Sequence, residues 1–305
     1  MRLKKENLFL RDLRKNWVLW VLLLPTIAFF LINNYGPMVG IYFAFTNFNF
    51  KGGLFGSPFV GLKNFEFLWK SNMLLKLTRN TILYNIVFIL LGNALQLFMA
   101  ILLSQLTSKW FKKVSQTLIF MPYFVSYVMV NVVVYNLLNY DYGIINNLLA
   151  EPINFYGETK WWPFFITILY LWKGLGYGMV VYLANILSIN KELYEASTVD
   201  GANVFHQIRY IVLPHVKPTF IILLLYSVGS IMRGQFELFY QTVGKNGLLF
   251  DVTDIIDTYV YRASTGSFDF GMGTAAGLYQ SLFGFVLVMV INWLIKRKNP
   301  EYALF

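Results

Sequence analysis

Six long apolar stretches limit what this sequence can fold into. A hydrocarbon layer about 30 Å thick needs about 20 apolar residues of helix to cross it. Six stretches meet this need, with predicted bounds of Trp17–Ile32, Asn80–Leu106, Gln116–Leu138, Trp162–Leu187, Thr219–Met232 and Gly271–Ile295. The fifth is short, so we expect it to borrow residues 233–238. The sequence therefore predicts an all-α membrane protein with six transmembrane helices in one transmembrane domain, residues 1–305.

Composition supports lipid as the solvent for much of the chain. Hydrophobic residues make up 57% and charged residues 13%, whereas soluble proteins carry about 25% charged residues. There is no Cys, which excludes a disulfide or a thiol nucleophile. The two His are too few for most metal sites, so no metal is expected. The net charge of +10 is explained by membrane topology, and no nucleic acid partner is expected.

The distribution of Lys and Arg orients the six predicted spans. Cytoplasmic loops carry an excess of these residues, and six spans place both termini on the same side. Most cations fall in the two tails and in the second and fourth loops: Arg2, Lys4, Lys5, Arg11, Arg14, Lys15, Lys109, Lys112, Lys113, Lys191, Arg209, Lys217, Lys296, Arg297 and Lys298. The sequence predicts a multi-pass protein of the bacterial cell membrane with both termini cytoplasmic.

The fourth loop, residues 190–217, carries a pattern of two short helices. Asn190 can cap a helix beginning near Lys191. Asp200 and Gly201 form a turn in which Gly tolerates a positive φ. Asn203 can cap a second short helix, which must end by residue 214 because proline disrupts a helix interior. We expect a helix-turn-helix between spans four and five that projects into the cytoplasm.

The segment YEASTVDGANVFHQIRYIVLP, residues 194–214, resembles the EAA loop of binding-protein-dependent ABC importer permeases. The matching residues are Glu195, Ala196, Ser197, Gly201, Ile211, Leu213 and Pro214. Ser197 departs from the alanine usual in that family. A chance amphipathic hairpin is the alternative, and several matches at fixed spacing argue against it. The resemblance implies a type I importer fold whose cytoplasmic coupling helix docks on an ATPase through Glu195, Ala196, Ser197, Asp200, Gly201 and Ala202.

The resemblance extends along the whole chain. The segments YGPMVGIYFAF, FMPYFVSYV, YLWKGLGYGMVVYLA and DVTDIIDTYVYR look like the carbohydrate-uptake branch, which imports oligosaccharides and polysaccharide fragments. The resemblance implies a second homologous permease in a heterodimer, two ATPase subunits or domains, and an extracellular sugar-binding lipoprotein. The chain lacks the phosphate-loop pattern G-x-x-x-x-G-K-[ST]. We therefore expect a non-catalytic subunit without a cofactor, with ATP and Mg used by the partner ATPase.

Polar side chains within the predicted spans are candidates for a substrate path, because such groups are expensive at membrane depth. Tyr123, Tyr127, Asn131 and Tyr135 recur every fourth residue and would form one stripe suited to sugar; packing between helices is the alternative. Tyr170, Lys173 and Tyr177 share a face of span four. Lys173 either lines a wet cavity or pairs with a carboxylate of a partner subunit. The predicted path comprises Tyr127, Asn131, Tyr135, Lys173 and Tyr177.

Other polar residues have simpler explanations. Arg233 and Glu237, four residues apart at the outer end of span five, are interpreted as a solvated pair, with substrate contact as the alternative. Asn85, Asn93 and Gln96 share one face of span two, where hydrogen bonds between helices explain them as well as a functional role does.

Three other functions compete with sugar import. An ABC permease for a non-sugar solute would share the EAA loop. A membrane enzyme would need catalytic Asp or His, which the predicted spans lack. A secondary transporter or receptor would not need the coupling loop.

Overall fold

The computed structural model describes residues 15–298, so the cations at positions 2–14 and the residues from 299 onward lie outside the described part. Five helices are long and apolar enough to cross a membrane, and a bent helix pair supplies a sixth span. In chain order the spans are Trp17–Phe45, Met73–Ser104, the pair Lys109–Phe124 and Tyr127–Leu138, Thr159–Leu187, Val204–Val228 and Phe270–Arg297. The predicted all-helical, six-span architecture is confirmed.

Span one is longer than predicted and stands apart. The α-helix Trp17–Phe30 continues through a π-helical turn at Leu31–Tyr35 and a 3-10 helix at Gly36–Phe45. Its α-helical part has no buried residue, whereas the 3-10 segment packs against span six and buries Ala44. The α-helical half of this span therefore buries none of its side chains within the described part of the chain.

Spans two and four form the centre of the molecule, and polar side chains join them. Asn93 Oδ1 accepts a hydrogen bond from the Tyr182 hydroxyl at 3.0 Å, and Gln96 Nε2 donates to the Gly174 carbonyl at 3.1 Å. Asn85 donates to carbonyl oxygens in the turn after span five, at 2.9 and 3.1 Å. The predicted hydrogen bonds between helices are confirmed for Asn93 and Gln96, whereas Asn85 bonds a turn.

Span three is broken, which corrects the continuous helix predicted from residue 116 to 138. Its first half ends at Phe124, its second half begins at Tyr127, and the halves are bent by 93°. Pro122 lacks an N–H group, and the backbone is extended at Val125. Ser126 then caps the second helix, because its Oγ accepts from the Met129 N–H at 3.3 Å. Consequently, the predicted four-residue stripe is split at the break.

Span five also differs from the prediction at both ends. The helix begins at Val204 and continues past Pro214. A π-helical turn at Ile208–Val212 precedes the proline, with the Leu213 N–H bonded to the Ile208 carbonyl. This wider turn accommodates the missing N–H, so the expected end at Pro214 is wrong. At the other end, the helix stops at Val228 rather than extending to residue 238.

Short helices cover the side opposite the fourth loop, which we call the far side. Their bounds are Gly53–Gly56, Lys63–Lys70, Ile144–Leu148, Phe236–Val243, Phe250–Thr253 and Ile256–Thr265. Asp254 is buried and bonds Arg262 through two contacts, of 3.1 and 2.6 Å. Asp257 accepts from the Gly234 N–H at 2.7 Å and from Gln280 at 3.0 Å. Burial raises the pKa of Asp257, and these hydrogen bonds oppose that rise.

Candidate functional site

The loop between spans four and five forms a compact unit, residues 190–212, which we call the coupling unit. Asn190 Oδ1 accepts from the Glu192 N–H at 3.1 Å and caps the helix Lys191–Val199. Asn203 Oδ1 accepts from the His206 N–H at 3.0 Å and caps the next helix. Both predicted caps are confirmed, because each side chain satisfies a backbone donor at a helix start.

Gly201 closes the first helix of the coupling unit in the left-handed region, with φ of +81°. The Gly201 N–H bonds the Thr198 carbonyl at 3.1 Å, and the Ala202 N–H bonds the Ser197 carbonyl at 2.9 Å. These two bonds form a Schellman termination. A Cβ added at Gly201 would meet no atom within 4 Å, so glycine is required here by backbone conformation alone.

Gln207 fastens the two helices of the coupling unit together. Its Nε2 donates to Ser197 Oγ at 3.0 Å and to Thr198 Oγ1 at 3.1 Å, and it lies 3.4 Å from the Tyr194 carbonyl oxygen. Ser197, the departure from the family pattern, therefore has a local partner. Sequence reasoning missed Gln207, because its acceptors lie on the other side of the turn.

The coupling unit is mostly polar in sequence, but it exposes large apolar side chains. Val199 is 88% exposed and Phe205 is 82% exposed, one on each side of the glycine turn. Glu195 and Ala196 are also exposed. A groove of about 310 Å³ adjoins them, lined in part by Ser197, Asp200, Gly201 and Ala202. Two large apolar residues beside a Gly turn in a polar loop were a sequence signal for a contact surface.

A second site is an open cavity of about 600 Å³ at the break in span three. Of the predicted path residues, it brings together Tyr127, Lys173 and Tyr177. Asn131 is half-buried and Tyr135 is 43% exposed, and neither is among the described residues that line this cavity. Tyr135 instead contacts the rings of Tyr142 and Tyr156. The bend explains this separation, because only the start of the second half-helix faces the cavity.

Lys173 reaches from span four to the break in span three. Its Nζ donates to the carbonyl oxygens of Tyr123 at 2.7 Å and Val125 at 2.6 Å. The same atom lies 4.9 Å from the centre of the Tyr127 ring. Close approach of the two spans depends on Gly176, since a Cβ there would lie 2.5 Å from Phe120 Cα. The structure thus places Lys173 on the cavity wall with its ammonium bonded within the chain.

The rest of the cavity wall combines aromatic faces and polar groups. Tyr123 and Tyr177 stack with ring centres 5.4 Å apart, and Tyr177 is 59% exposed. Gln96, Gln235 and Glu237 also line the cavity. Aromatic faces with nearby amide and carboxylate groups suit a ligand that carries both C–H faces and hydroxyl groups.

Sequence reasoning missed Gln235 as a cavity residue and favoured a solvated pair with Arg233 for Glu237, which also lines the cavity. Glu237 belongs to the first turn of the helix Phe236–Val243, and Arg233 lies in the preceding turn, so the two are not neighbours on one helix. No ion pair joins them among residues 15–298. Within the same range, no cluster of His, Asp or Glu could hold a metal ion.

Comparison with known proteins places the chain in one family. Residues 92–300 match the family described as "Binding-protein-dependent transport system inner membrane component". The polygalacturonan/rhamnogalacturonan transport system permease protein YteP of Bacillus subtilis is 32% identical, over 98% of this chain and 93% of that protein. Protein LplB of the same organism is also 32% identical, over 94% and 91%.

Solved structures agree with these relatives. A bacterial ABC transporter that imports the acidic polysaccharide alginate contains a chain with a TM-score of 0.85 and 30% identity, covering 96% of this chain and all of that one. The bacterial alginate ABC transporter in complex with its pentasaccharide-bound periplasmic protein gives the same score, over 98% of this chain. The subunits of this family are permeases, and ATP hydrolysis belongs to separate chains. The chain therefore belongs to the family of binding-protein-dependent transport system inner membrane components, as an ABC importer permease.

Proposed function

We propose that this chain forms half of the translocation pore of an ABC importer for oligosaccharides. The observation that carries the proposal is the open cavity at the break in span three, walled by Tyr127, Tyr177 and amide side chains. The relatives support this cargo class, because they transport polygalacturonan, rhamnogalacturonan or alginate by name. A non-sugar cargo has no comparable support.

The energetics of the cargo favour such a wall. An oligosaccharide carries many hydroxyl groups, and each one left unpaired in an apolar site costs roughly 1–3 kcal/mol. Gln96, Gln235 and Glu237 offer hydrogen-bonding atoms at the cavity, while the tyrosine rings offer stacking faces. Several weak contacts of this kind permit release, which a single tight site would oppose. Asn131 and Tyr135 remain predicted path residues for a later stage of passage.

A second, homologous permease completes the pore in this proposal. The helix Trp17–Phe30 buries no residue within the described part of the chain, and the 3-10 segment after it packs against span six. A membrane helix with this little burial within its own chain offers a surface on which another membrane subunit can pack. The cavity is also open on one side, as expected of half a pathway.

The coupling unit is the proposed docking site for an ATPase, which would use ATP and Mg²⁺. Its exposed Val199 and Phe205 are apolar anchors beside the groove lined by Asp200 and Gly201, a pattern typical of protein interfaces. Glu195, Ala196, Ser197 and Ala202 complete the proposed contact. Under the positive-inside rule, this side and both termini are cytoplasmic. An extracellular sugar-binding lipoprotein would then dock on the far side.

Reconstitution tests the proposal. The complex is purified from cells that express the neighbouring transport genes and is placed in liposomes loaded with ATP. We expect one copy of this chain, one different permease, two ATPase domains and, with cargo, one binding protein. Uptake should occur for oligogalacturonides or alginate oligosaccharides and not for amino acids or phosphate. Transport by a homodimer of this chain, or uptake of only non-sugar solutes, would contradict the proposal.

A further inference from the structure

The break in span three leaves backbone groups that need partners. The extended backbone at Val125 and Ser126 interrupts the helical hydrogen-bond ladder. The carbonyl oxygens of Tyr123 and Val125 both accept from Lys173 Nζ, at 2.7 and 2.6 Å. Irregular backbone at membrane depth is tolerated only where its polar groups find partners in the protein or in a water-filled cavity. One side chain from span four thus satisfies two groups at the break.

The ammonium group has little capacity left for another ligand. It carries three donors, and two of them make the short bonds to Tyr123 and Val125. The remaining acceptor in reach is the Pro122 carbonyl at 3.5 Å. The rings of Tyr123 and Tyr127 lie 5.7 and 4.9 Å from Nζ, so aromatic faces occupy part of its surroundings. Charge-assisted bonds of this length are among the strong ones in proteins.

We propose that Lys173 is a positioning residue that staples the break in span three and thereby sets the tyrosine wall of the cavity. It acts through the backbone that carries Tyr123 and Tyr127, and not as the main ligand of the cargo. The only other charged side chain on this cavity wall, among the described residues, is Glu237. The cargo is then contacted by the aromatic faces, the amide side chains and the Glu237 carboxylate.

The consequence for the wall follows from the geometry. Tyr123 stacks on Tyr177 across the gap between spans three and four, and Tyr127 is the first residue of the second half-helix. If the ammonium is removed, the carbonyl groups of the break must find other donors, and the two half-helices lose their fixed angle. Both tyrosine rings would then lose their orientation, although no aromatic side chain has changed.

Distance measurements between the two half-helices test the staple without any cargo. The chain has no Cys, so spin labels at Leu118→Cys and Val133→Cys, both 59% exposed, report on the bend in the assembled complex with cysteine-free partners. We expect one narrow distance population, broadened by Lys173→Met and retained by Lys173→Arg. Trp172→Phe, on an exposed face next to Lys173, is the matched control. An unchanged distribution in Lys173→Met would overturn the proposal.

Uptake measurements test the effect on the wall, and this arm rests on the proposed function. Lys173→Met removes two charge-assisted hydrogen bonds, and loss of even one corresponds to roughly tenfold, so this variant should slow oligosaccharide uptake by about tenfold or more. Because Lys173 acts through the ring positions, adding Tyr127→Ala should bring little further loss. Fully multiplicative losses would instead mean that Lys173 contacts the cargo directly, against the proposal. If the parent complex transports no oligosaccharide, the proposed function fails. The distance measurement would still test whether Lys173 fixes the bend in span three.

Discussion

The coupling unit and the span-three cavity are built in opposite ways. Hydrogen bonds within the coupling unit join residues no more than 13 positions apart, as between Gln207 and Tyr194. At the cavity, Lys173 bonds a carbonyl 50 positions away, and Gln96 bonds one 78 positions away. The hydrogen bonds of the first region are local, although Tyr194, Ile208 and Ile211 also pack against spans two and four. The second region exists only when three spans pack together.

This difference predicts different responses to substitution. If the coupling unit docks the ATPase as proposed, a change in it should affect transport of every cargo equally. A change at the cavity should be graded and should depend on the cargo. The following predictions test that contrast, from the largest expected effect to the smallest.

Gly201→Val should nearly abolish uptake. A β-branched residue at φ of +81° costs of order 1–3 kcal/mol in strain, and the turn can relieve it only by changing the angle between the two helices. Gly201→Asn is the control, since Asn tolerates this region, and a Cβ at this position meets no neighbour. The effect is measured as ATP-driven uptake in liposomes. Normal uptake in the valine variant would show that coupling does not depend on this turn.

Glu195→Lys should leave the chain inserted but greatly weaken its association with the ATPase. Glu195 is exposed, and no hydrogen bond or ion pair from its side chain is present in the described part of the chain. Its replacement therefore changes the docking charge more than the local fold. Co-purification of the ATPase measures this, with Glu195→Gln separating loss of charge from its reversal. Undiminished co-purification of the lysine variant would argue against a contact at this position.

Tyr127→Ala should reduce uptake about tenfold while basal ATPase activity persists, because aromatic contacts are worth roughly 0.5–1.5 kcal/mol each. Asn131→Ala should have a smaller effect, since Asn131 lies off the cavity wall. Uptake rates for two oligosaccharides of different charge, measured on both variants, would show whether the loss depends on cargo. Equal losses for all cargoes would break the contrast between the two regions.

Gln207→Ala should lower the number of sugars imported per ATP by a few-fold, and Ser197→Ala should do less. Gln207→Ala removes the hydrogen bonds that join the two helices of the coupling unit, each of which stabilises it by about 1 kcal/mol. Ser197→Ala leaves Gln207 bonded to Thr198 at 3.1 Å. Simultaneous assays of sugar uptake and phosphate release give this ratio. An equal or larger loss in the serine variant would mean that Ser197 contacts the ATPase itself.

Much of the coupling unit was predictable from the sequence. The caps at Asn190 and Asn203 and the turn at Gly201 were all expected, because each depends on bonds between close neighbours in the chain. The end expected at Pro214 was wrong, since a π-helical turn before the proline absorbs its missing N–H. The pattern of apolar residues cannot reveal such a turn, because a π-helical turn adds one residue to the helix without changing the type of residues in it.

The break in span three shows the opposite case. Apolar residues continue through it, so hydropathy indicates one span, and Pro122 alone does not fix a 93° bend. The bend is stabilised by Lys173, whose role depends on the approach of span four at Gly176. Likewise, Glu237 joins the cavity only because the helix of span five ends at Val228.

By itself, the sequence determined the membrane class, the number of spans and the location of the coupling unit. These follow from the apolar length of a span and from local capping, which need no knowledge of the fold. Only the tertiary structure decided which tyrosines share a wall, that Lys173 bonds the backbone of another span, and that Asn131 lies off the cavity. Those facts depend on contacts between distant residues, whose geometry is set when the helices pack and their interrupted backbone groups find partners.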